Sequence, residues 1–335
     1  MKIADTRKLA RAEVSLTALG LGCAQMGNLL KRTPFSDAQG TADAAWDLGI
    51  RYFDTAPYYG FSRSERRLGA LLDERPREEF RLSTKVGRLL VPESTPRERD
   101  EGYIDPSPFS QVYDYSYDAI LKSFEASRHR LGLAKIDILY VHDIGEATHG
   151  ERHAHHWAHL TKGGGFRALE ELRSAGEIGG FGLGVNEWQV IRDALEEADL
   201  DVSMLAGRYT LLEQGSLELL DICLRRGSRI VAAGVFNSGV LAGNRTFDYG
   251  DAPDDVIHRV KSLRAVAEEF DVPLEAAALQ FPLAHAAVAS VVVGARNAEQ
   301  IRSNAEWFES SIPAAFWSKL GAAGLIADAV PFPPD

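Results

Sequence analysis

Tyr52-Phe53-Asp54-Thr55-Ala56-Pro57-Tyr58-Tyr59-Gly60 sets a short apolar strand directly before a turn carrying a carboxylate, Asp54, and a phenol, Tyr59. Outward from it, Arg81-Leu82-Ser83-Thr84 is the next strand-like run and ends at Lys85. Ile136-Asp137-Ile138-Leu139-Tyr140-Val141 follows and ends at His142. Four side chains able to carry a proton or a charge thus fall at the same end of three successive strands. In a parallel barrel that end carries the chemistry, so the pattern points to an enzyme.

Strand-like and helix-like segments alternate along the rest of the chain. Ser36 and Gln39 suggest a capping box, with Ala38, Ala42, Ala45 and Leu48 on one helical face and Gly49 as the stop. Ser64 reads as the cap of a short helix with Leu68, Leu71 and Leu72 inward, and residues 114–131 as a helix ended by Gly132. Further strands are expected at 180–183, 203–206, 229–232 and 288–293. Between and after them lie helices at 166–174, 188–197, 216–226, 297–309 and 314–326. Pro253 and Pro273 open two more, at the first helical position where proline fits best. With Thr17–Gly22 as the front strand the total is eight, which implies a closed (β/α)8 TIM barrel formed by residues 1–335 as a single domain. An open doubly wound sheet would call for a glycine-rich dinucleotide fingerprint after its first strand. Gly20 and Gly22 lack the third glycine.

Composition narrows the function classes. The 335 residues are 45 % hydrophobic and 25 % charged, with a net charge of −11 and no basic block. A nucleic-acid partner is not expected, since phosphate binding draws on clustered positive charge. Cys23 and Cys223 lie far apart, which fits a reducing cytoplasm and neither a disulfide framework nor zinc spacing. The stretch Phe281–Ala295 is interrupted by His285 and is too short to cross a bilayer, so no membrane segment is expected. Residues 87–113 and 143–164 exceed ordinary connections and, following strands that bear candidate catalytic groups, are expected to overhang the site. Tyr103, Phe109 and Tyr113 read as packing for the first of these. The second holds His149, His153, His155, His156 and His159 at irregular spacing, read as a solvated loop and not as a metal site.

A phenol near its reference pKa of about 10 is a poor proton carrier at neutral pH. A neighbouring ammonium favours the phenolate; lowering the pKa to about 8 takes roughly 2.7 kcal/mol of differential stabilisation. Lys85 is placed to supply it, Asp54 to hold Lys85 charged, and His142 to hydrogen-bond a substrate oxygen. The set suits a reaction in which an alcohol loses a proton while its carbon loses hydride, or the reverse.

The segments Phe53–Gly60, Ser83-Thr84-Lys85-Val86 and Tyr140-Val141-His142-Asp143 resemble the signature of the aldo-keto reductases, a likeness running from about Leu16 to Asn304. It implies a (β/α)8 barrel that binds NADP or NAD in extended form. Tyr59 would be the general acid/base, tuned by Lys85 and Asp54, with His142 orienting the substrate. By the same resemblance Asn186 would meet the nicotinamide carboxamide, although Gly184-Val185-Asn186-Glu187 departs from the family's Gly-x-Ser-Asn. The backbone of Gly234 to Ser238, including Phe236, would hold the pyrophosphate. Gly294, Arg296, Gln300 and Asn304 would hold the adenosine, with Arg296 facing a 2′-phosphate. Ala206 stands where the family has glutamine, and no tyrosine follows the seventh strand to stack on the ring.

The stretches Gly184–Trp188 and Ala206–Gln214 look most like the aldose 1-dehydrogenase branch, which includes L-fucose (D-threo-aldose) dehydrogenases and pyridoxal 4-dehydrogenases. That resemblance implies oxidation of an aldose hemiacetal at C1 to the lactone, with Tyr58 and Trp157 among the substrate contacts. The alternatives are NADPH-dependent reduction of an aldehyde or ketone, pyridoxal oxidation, a cofactor-sensing binding subunit, and a metal-dependent barrel hydrolase. The expected state is a monomer or small homo-oligomer.

Overall fold

The computed structural model describes residues 1–333. Eight parallel strands close into a barrel: β1 (Leu19–Gly22), β2 (Tyr52–Asp54), β3 (Arg81–Val86), β4 (Ile138–His142), β5 (Gly180–Val185), β6 (Val202–Ala206), β7 (Arg229–Ala233) and β8 (Val288–Gly294). Each strand lies beside its sequence neighbours, and β8 closes against β1 through Val291–Gly294 and Leu19–Gly22. The strands are buried on both faces, which explains their continuous apolar runs in place of alternation.

The front strand is shorter than Thr17–Gly22. Ser15–Thr17 pairs antiparallel with Thr6–Lys8, forming a hairpin before β1. Leu9, Ala12, Val14 and Leu16 from this segment join Tyr52, Ile138, Tyr140, Val202, Met204, Val231, Ala289 and Val292 in one buried cluster inside the barrel. The charged look of the N-terminus conceals this apolar insert, whose Leu and Val side chains each contribute roughly 1.5–3 kcal/mol on burial.

Helices Phe35–Asp47, Arg63–Leu72, Tyr117–Leu131, Gly165–Ser174, Trp188–Glu197, Leu217–Arg226 and Ala298–Glu309 lie in the outer layer, and Asp254–Glu269 and Leu274–Gln280 follow β7. Two expected caps are not used. The first helix begins after Pro34, and Ser36 makes no capping bond. Ser64 lies inside its helix, where its hydroxyl donates to Cys23 O at 2.7 Å and meets Thr55 Oγ1 at 2.8 Å. Pro253 and Pro273 each stand one residue before the first helical position.

Both long connections carry structure of their own. Residues 88–113 fold into nested antiparallel pairs, Arg88–Pro92 with Phe109–Tyr113 and Arg99–Asp100 with Tyr103–Ile104. Residues 146–149 and 153–160 are helical. This segment is not a solvated loop throughout: His149 and His156 are buried, their ring centroids 4.2 Å apart. No helix is long and apolar enough to cross a membrane among the described residues.

Candidate active site

Asp54 closes β2, Lys85 lies one residue from the end of β3 and His142 closes β4, all at the C-terminal mouth of the barrel. The parallel register places Asp54 opposite Ser83 and Lys85 opposite Tyr140. The Lys85 ammonium donates to Asp54 Oδ2 at 2.7 Å and to Thr55 O at 3.0 Å. Ser83 donates its hydroxyl to the other carboxylate oxygen at 2.7 Å, and Tyr52 and Tyr140 continue that hydroxyl chain down the barrel interior. Burial raises the Asp54 carboxyl; the ammonium and the Ser83 hydroxyl oppose it.

Tyr59 reaches the same centre from the turn after β2. Its ring centroid lies 4.6 Å from the Lys85 ammonium and 6.0 Å from the His142 ring, and it stacks on Tyr103 at 6.4 Å. The structure thus brings all four residues together. The balance of forces on the phenol differs from the sequence expectation. Burial, reinforced by Asp54, Asp143 and Tyr249, raises Tyr59 well above the ordinary tyrosine value, while Arg88 opposes. Among the described residues the ammonium's hydrogen bonds go to Asp54 and Thr55, not to the phenol. The group is therefore a protonated phenol at neutral pH. His142 is held neutral: burial, Arg88 and Lys85 push its pKa well below the usual histidine value.

Three residues not singled out in the sequence shape the mouth. Arg88 lies 4.2 Å from the Tyr58 ring and 5.0 Å from that of Tyr113, and its guanidinium donates to Asp143 Oδ2 at 2.5 Å. Asp143 in turn lies 3.6 Å from His142 Nε2. The only sequence signal was position, Arg88 three residues past Lys85 and Asp143 directly after His142. The third is Tyr249, at the tip of a hairpin after β7, whose hydroxyl is 3.4 Å from Asn186 Nδ2.

Of the expected substrate contacts, Tyr58 lies beside the tetrad. Its ring meets Tyr103 at 5.2 Å and His142 at 6.0 Å, and its hydroxyl donates to Glu101. Trp157 is not brought to the tetrad; its aromatic contacts are Phe166 and His153, on the side of the Gly165–Ser174 helix.

The cofactor candidates form a band across the ends of β5, β7, β8 and β1. Asn186 follows β5. After β7, Gly234, Asn237, Ser238 and Gly239 all adopt left-handed backbone, Phe236 is partly buried, and Ser238 Oγ accepts from Tyr249 N at 3.0 Å. After β8, Gly294 lies against Gln25, where a Cβ would come within 2.3 Å of the amide nitrogen; Gln25 Oε1 is buried with no partner among the described residues. Asn304 Nδ2 meets Gly294 O at 3.5 Å, and Gln300 Oε1 accepts from Arg296 N at 2.9 Å. The Arg296 guanidinium donates to Leu29 O at 2.6 Å and Lys31 O at 3.4 Å. An orphaned amide oxygen beside a side-chain-free residue, with further amides along the band, fits an extended dinucleotide. Among the described residues no group of three or more His, Cys, Asp or Glu side chains is placed to hold a metal ion.

Fold and site together define a barrel oxidoreductase. Comparison with known proteins agrees: a model of the Aldo/keto reductase family matches residues 18–324. Pyridoxal 4-dehydrogenase of Microbacterium luteolum is 52 % identical, with 98 % of this chain and 99 % of that protein covered. D-threo-aldose 1-dehydrogenase of a Pseudomonas species is 42 % identical, with 95 % and 97 % covered. Among solved structures, the holo form of aldo-keto reductase AKR11C1 from Bacillus halodurans superposes with a TM-score of 0.73 at 25 % identity, covering 97 % of each chain. The chain belongs to the aldo/keto reductase family. Members of that family use nicotinamide cofactors and act on small carbonyl or sugar substrates.

Proposed function

We propose that the chain oxidises a small cyclic hemiacetal to its lactone with NAD(P)+, the pyridoxal hemiacetal standing ahead of an aldose. A nicotinamide cofactor held by the band of Asn186, residues 234–238 and residues 294–304 would supply the hydride acceptor for the hemiacetal carbon. The chain's own residues handle the proton: Tyr59, once its own proton has left to bulk water, takes the proton of the hemiacetal hydroxyl, Lys85 and Asp54 set the charge beneath it, and neutral His142 hydrogen-bonds the substrate oxygen. The observation that carries this reading is the convergence of Asp54, Lys85, Tyr59 and His142 at one mouth of the barrel.

The rim supports a flat aromatic substrate over a polyol. It offers the partly exposed rings of Tyr58 and Tyr113, with Tyr103 packed behind Tyr58, and its polar groups are already spent on each other. Glu101 receives Tyr58 and Gln111, Gln111 receives Arg88, and Arg88 holds Asp143. A polyol would need those partners for itself. The 52 % identical relative is named for pyridoxal and the 42 % one for D-threo-aldoses.

A second reading, reduction of an aldehyde or ketone with NADPH, draws on the raised pKa of Tyr59, since a protonated phenol is ready to donate. Arg296 is the residue for a 2′-phosphate, but its guanidinium is engaged by two carbonyls, which supports NAD+. Steady-state rates with pyridoxal, with L-fucose and with a simple aldehyde, each with both cofactors in the matching redox state, test the proposal. Turnover of the aldehyde alone would overturn it.

A further inference from the structure

A buried and a partly buried charge at the barrel mouth have no part in the proton transfer just described. Arg88 is 6 % exposed and enters from the first residue of the 88–113 hairpin, where it pairs in register with Tyr113. Asp143 follows His142 with a left-handed backbone, φ 46°, a conformation that costs a non-glycine residue free energy and persists only where the surroundings enforce it. The surroundings here are specific. Asp143 N donates to Gly184 O at 2.9 Å, and the Tyr115 hydroxyl donates to His142 O at 2.9 Å. The turn returns the Asp143 carboxylate to the mouth, between the Arg88 guanidinium at 2.5 Å and His142 Nε2 at 3.6 Å.

We infer that Arg88 and Asp143 form a positioning pair that orients His142 and sets the electrostatic environment of both His142 and Tyr59. The inference rests on the reading of those two residues as the groups that face the substrate. Asp143 supplies an acceptor beside the imidazole, and Arg88 holds that acceptor in place. Because the two charges are adjacent and opposite in sign, their fields at Tyr59 and His142 oppose one another while both are present. Loss of either exposes the other.

The signs follow from the groups that face each centre. Around Tyr59 stand Asp54, Asp143 and Tyr249, which disfavour the phenolate, and Arg88 and Lys85 on the opposite side of the balance. Around His142 stand Arg88 and Lys85, which disfavour the imidazolium, and Asp143 at its Nε2. Asp143 itself faces Arg88, Lys85, Glu187 and Glu101; burial and the two glutamates raise its carboxyl against the two cations. At 2.5 Å from a guanidinium whose own value Asp143 raises, it is charged near neutral pH. Removing Arg88 therefore makes the Tyr59 phenol a weaker acid and His142 easier to protonate, and removing Asp143 does the reverse.

The test needs no turnover in its first arm. Histidine-labelled protein is titrated by NMR, with His142→Asn assigning the resonance. Arg88→Gln is expected to move the His142 midpoint upward by about one pH unit or more, Arg88→Lys to leave it close to wild type, and Asp143→Asn not to raise it. In the second arm, the kcat–pH profile for pyridoxal oxidation with NAD+ should shift its acid limb to higher pH in Arg88→Gln and to lower pH in Asp143→Asn, with the double variant between them. Should Arg88→Gln fail to fold, Asp143→Asn still shifts the limb to lower pH and the double variant returns it toward the wild-type position. Unmoved midpoints and limbs, or shifts of the same sign in the two single variants, would overturn the pair. A wild-type enzyme inactive on hemiacetals would refute the proposed function and leave the NMR arm standing.

Discussion

The Lys85 ammonium lies 4.6 Å from the centroid of the Tyr59 ring while its hydrogen bonds go to Asp54 Oδ2 and Thr55 O. Its charge acts on the phenol through space and through the ring face. Asp54 is 2 % exposed and depends on that ammonium for compensation. Tyr59→Phe removes the proton carrier alone, and kcat should fall roughly a thousand-fold while nicotinamide-cofactor binding, followed by tryptophan fluorescence, survives. Lys85→Met does more, because it leaves a buried carboxylate unpaired. Its expected cost is about 3–5 kcal/mol of stability, read by denaturant unfolding. A Tyr59→Phe enzyme turning over at the wild-type rate would remove the assigned role.

The backbone under Tyr59 is set by two glycines in contact. A Cβ on Gly27 would stand 2.5 Å from Tyr59 C, and one on Gly60, whose φ is 67°, would stand 2.3 Å from Gly27 O. Neither neighbour is the end of a flexible side chain, so the chain itself must move. Gly27→Ala should displace the Tyr59 turn and lower kcat by about 100-fold, the usual penalty for a misplacement near 1 Å. It should also cost about 1–3 kcal/mol of stability from overpacking. A kcat equal to wild type in that variant would show that the turn has room to give.

The histidines of residues 146–160 make stability depend on acid. Burial, with His156 and nearby arginines adding, pushes His149 down to about 4, and burial lowers His156 as well. A histidine whose folded pKa lies below its unfolded value of about 6.5 binds protons more readily when unfolded. Stability from this cluster is therefore intact above about pH 6.5 and declines as pH falls toward 4. His149 also meets the Tyr115 hydroxyl at 2.9 Å, the same hydroxyl that holds the His142 carbonyl. In His149→Phe the fall of Tm between pH 6.5 and 4.5 should be shallower than in wild type, from a lower starting point. Parallel Tm–pH curves would exclude the titration.

The eight-strand alternation was legible because both strand faces are buried, leaving apolar runs that glycines and prolines separate. The helix Trp188–Glu197 was read to the residue. What failed was whatever a neighbour from elsewhere in the chain decides. Ser64 looks like a cap, yet its hydroxyl is taken by Cys23 O and Thr55 Oγ1. Thr17 looks continuous with Leu19, yet it pairs with Thr6 in the hairpin before β1. Trp157 falls within the long connection after β4, and its packing onto Phe166 is a contact that spacing alone could not show. The Asp54, Tyr59, Lys85 and His142 set stood out because strand ends are a local signal. Arg88 and Asp143 did not, because their meaning lies in a 2.5 Å contact spanning 55 positions.

The last expectation concerns the residue that faces the nicotinamide, which no position directly after β7 supplied. Tyr249 is 78 % exposed at the tip of the Thr246–Asp251 hairpin. Arg208 pins that tip through a two-pronged bond to Asp248 at 2.8 and 3.0 Å, and Ser238 Oγ receives Tyr249 N. The hydroxyl reaches Asn186 Nδ2 at 3.4 Å, and the phenol lies near enough to Tyr59 to raise its pKa. A large ring held in solvent by two anchors beside an amide is placed to cover a flat ligand. An aromatic contact of that kind is worth about 1 kcal/mol, or roughly five-fold in affinity. Tyr249→Ala should therefore raise the cofactor dissociation constant roughly five-fold. Tyr249→Phe should stay within about two-fold, since a 3.4 Å hydrogen bond contributes little. Fluorescence titration with NAD+ and NADP+ measures both. Equal affinity in the Ala variant and wild type would show that the ring does not touch the cofactor. Loss in both variants would assign the effect to the hydroxyl and its Asn186 contact.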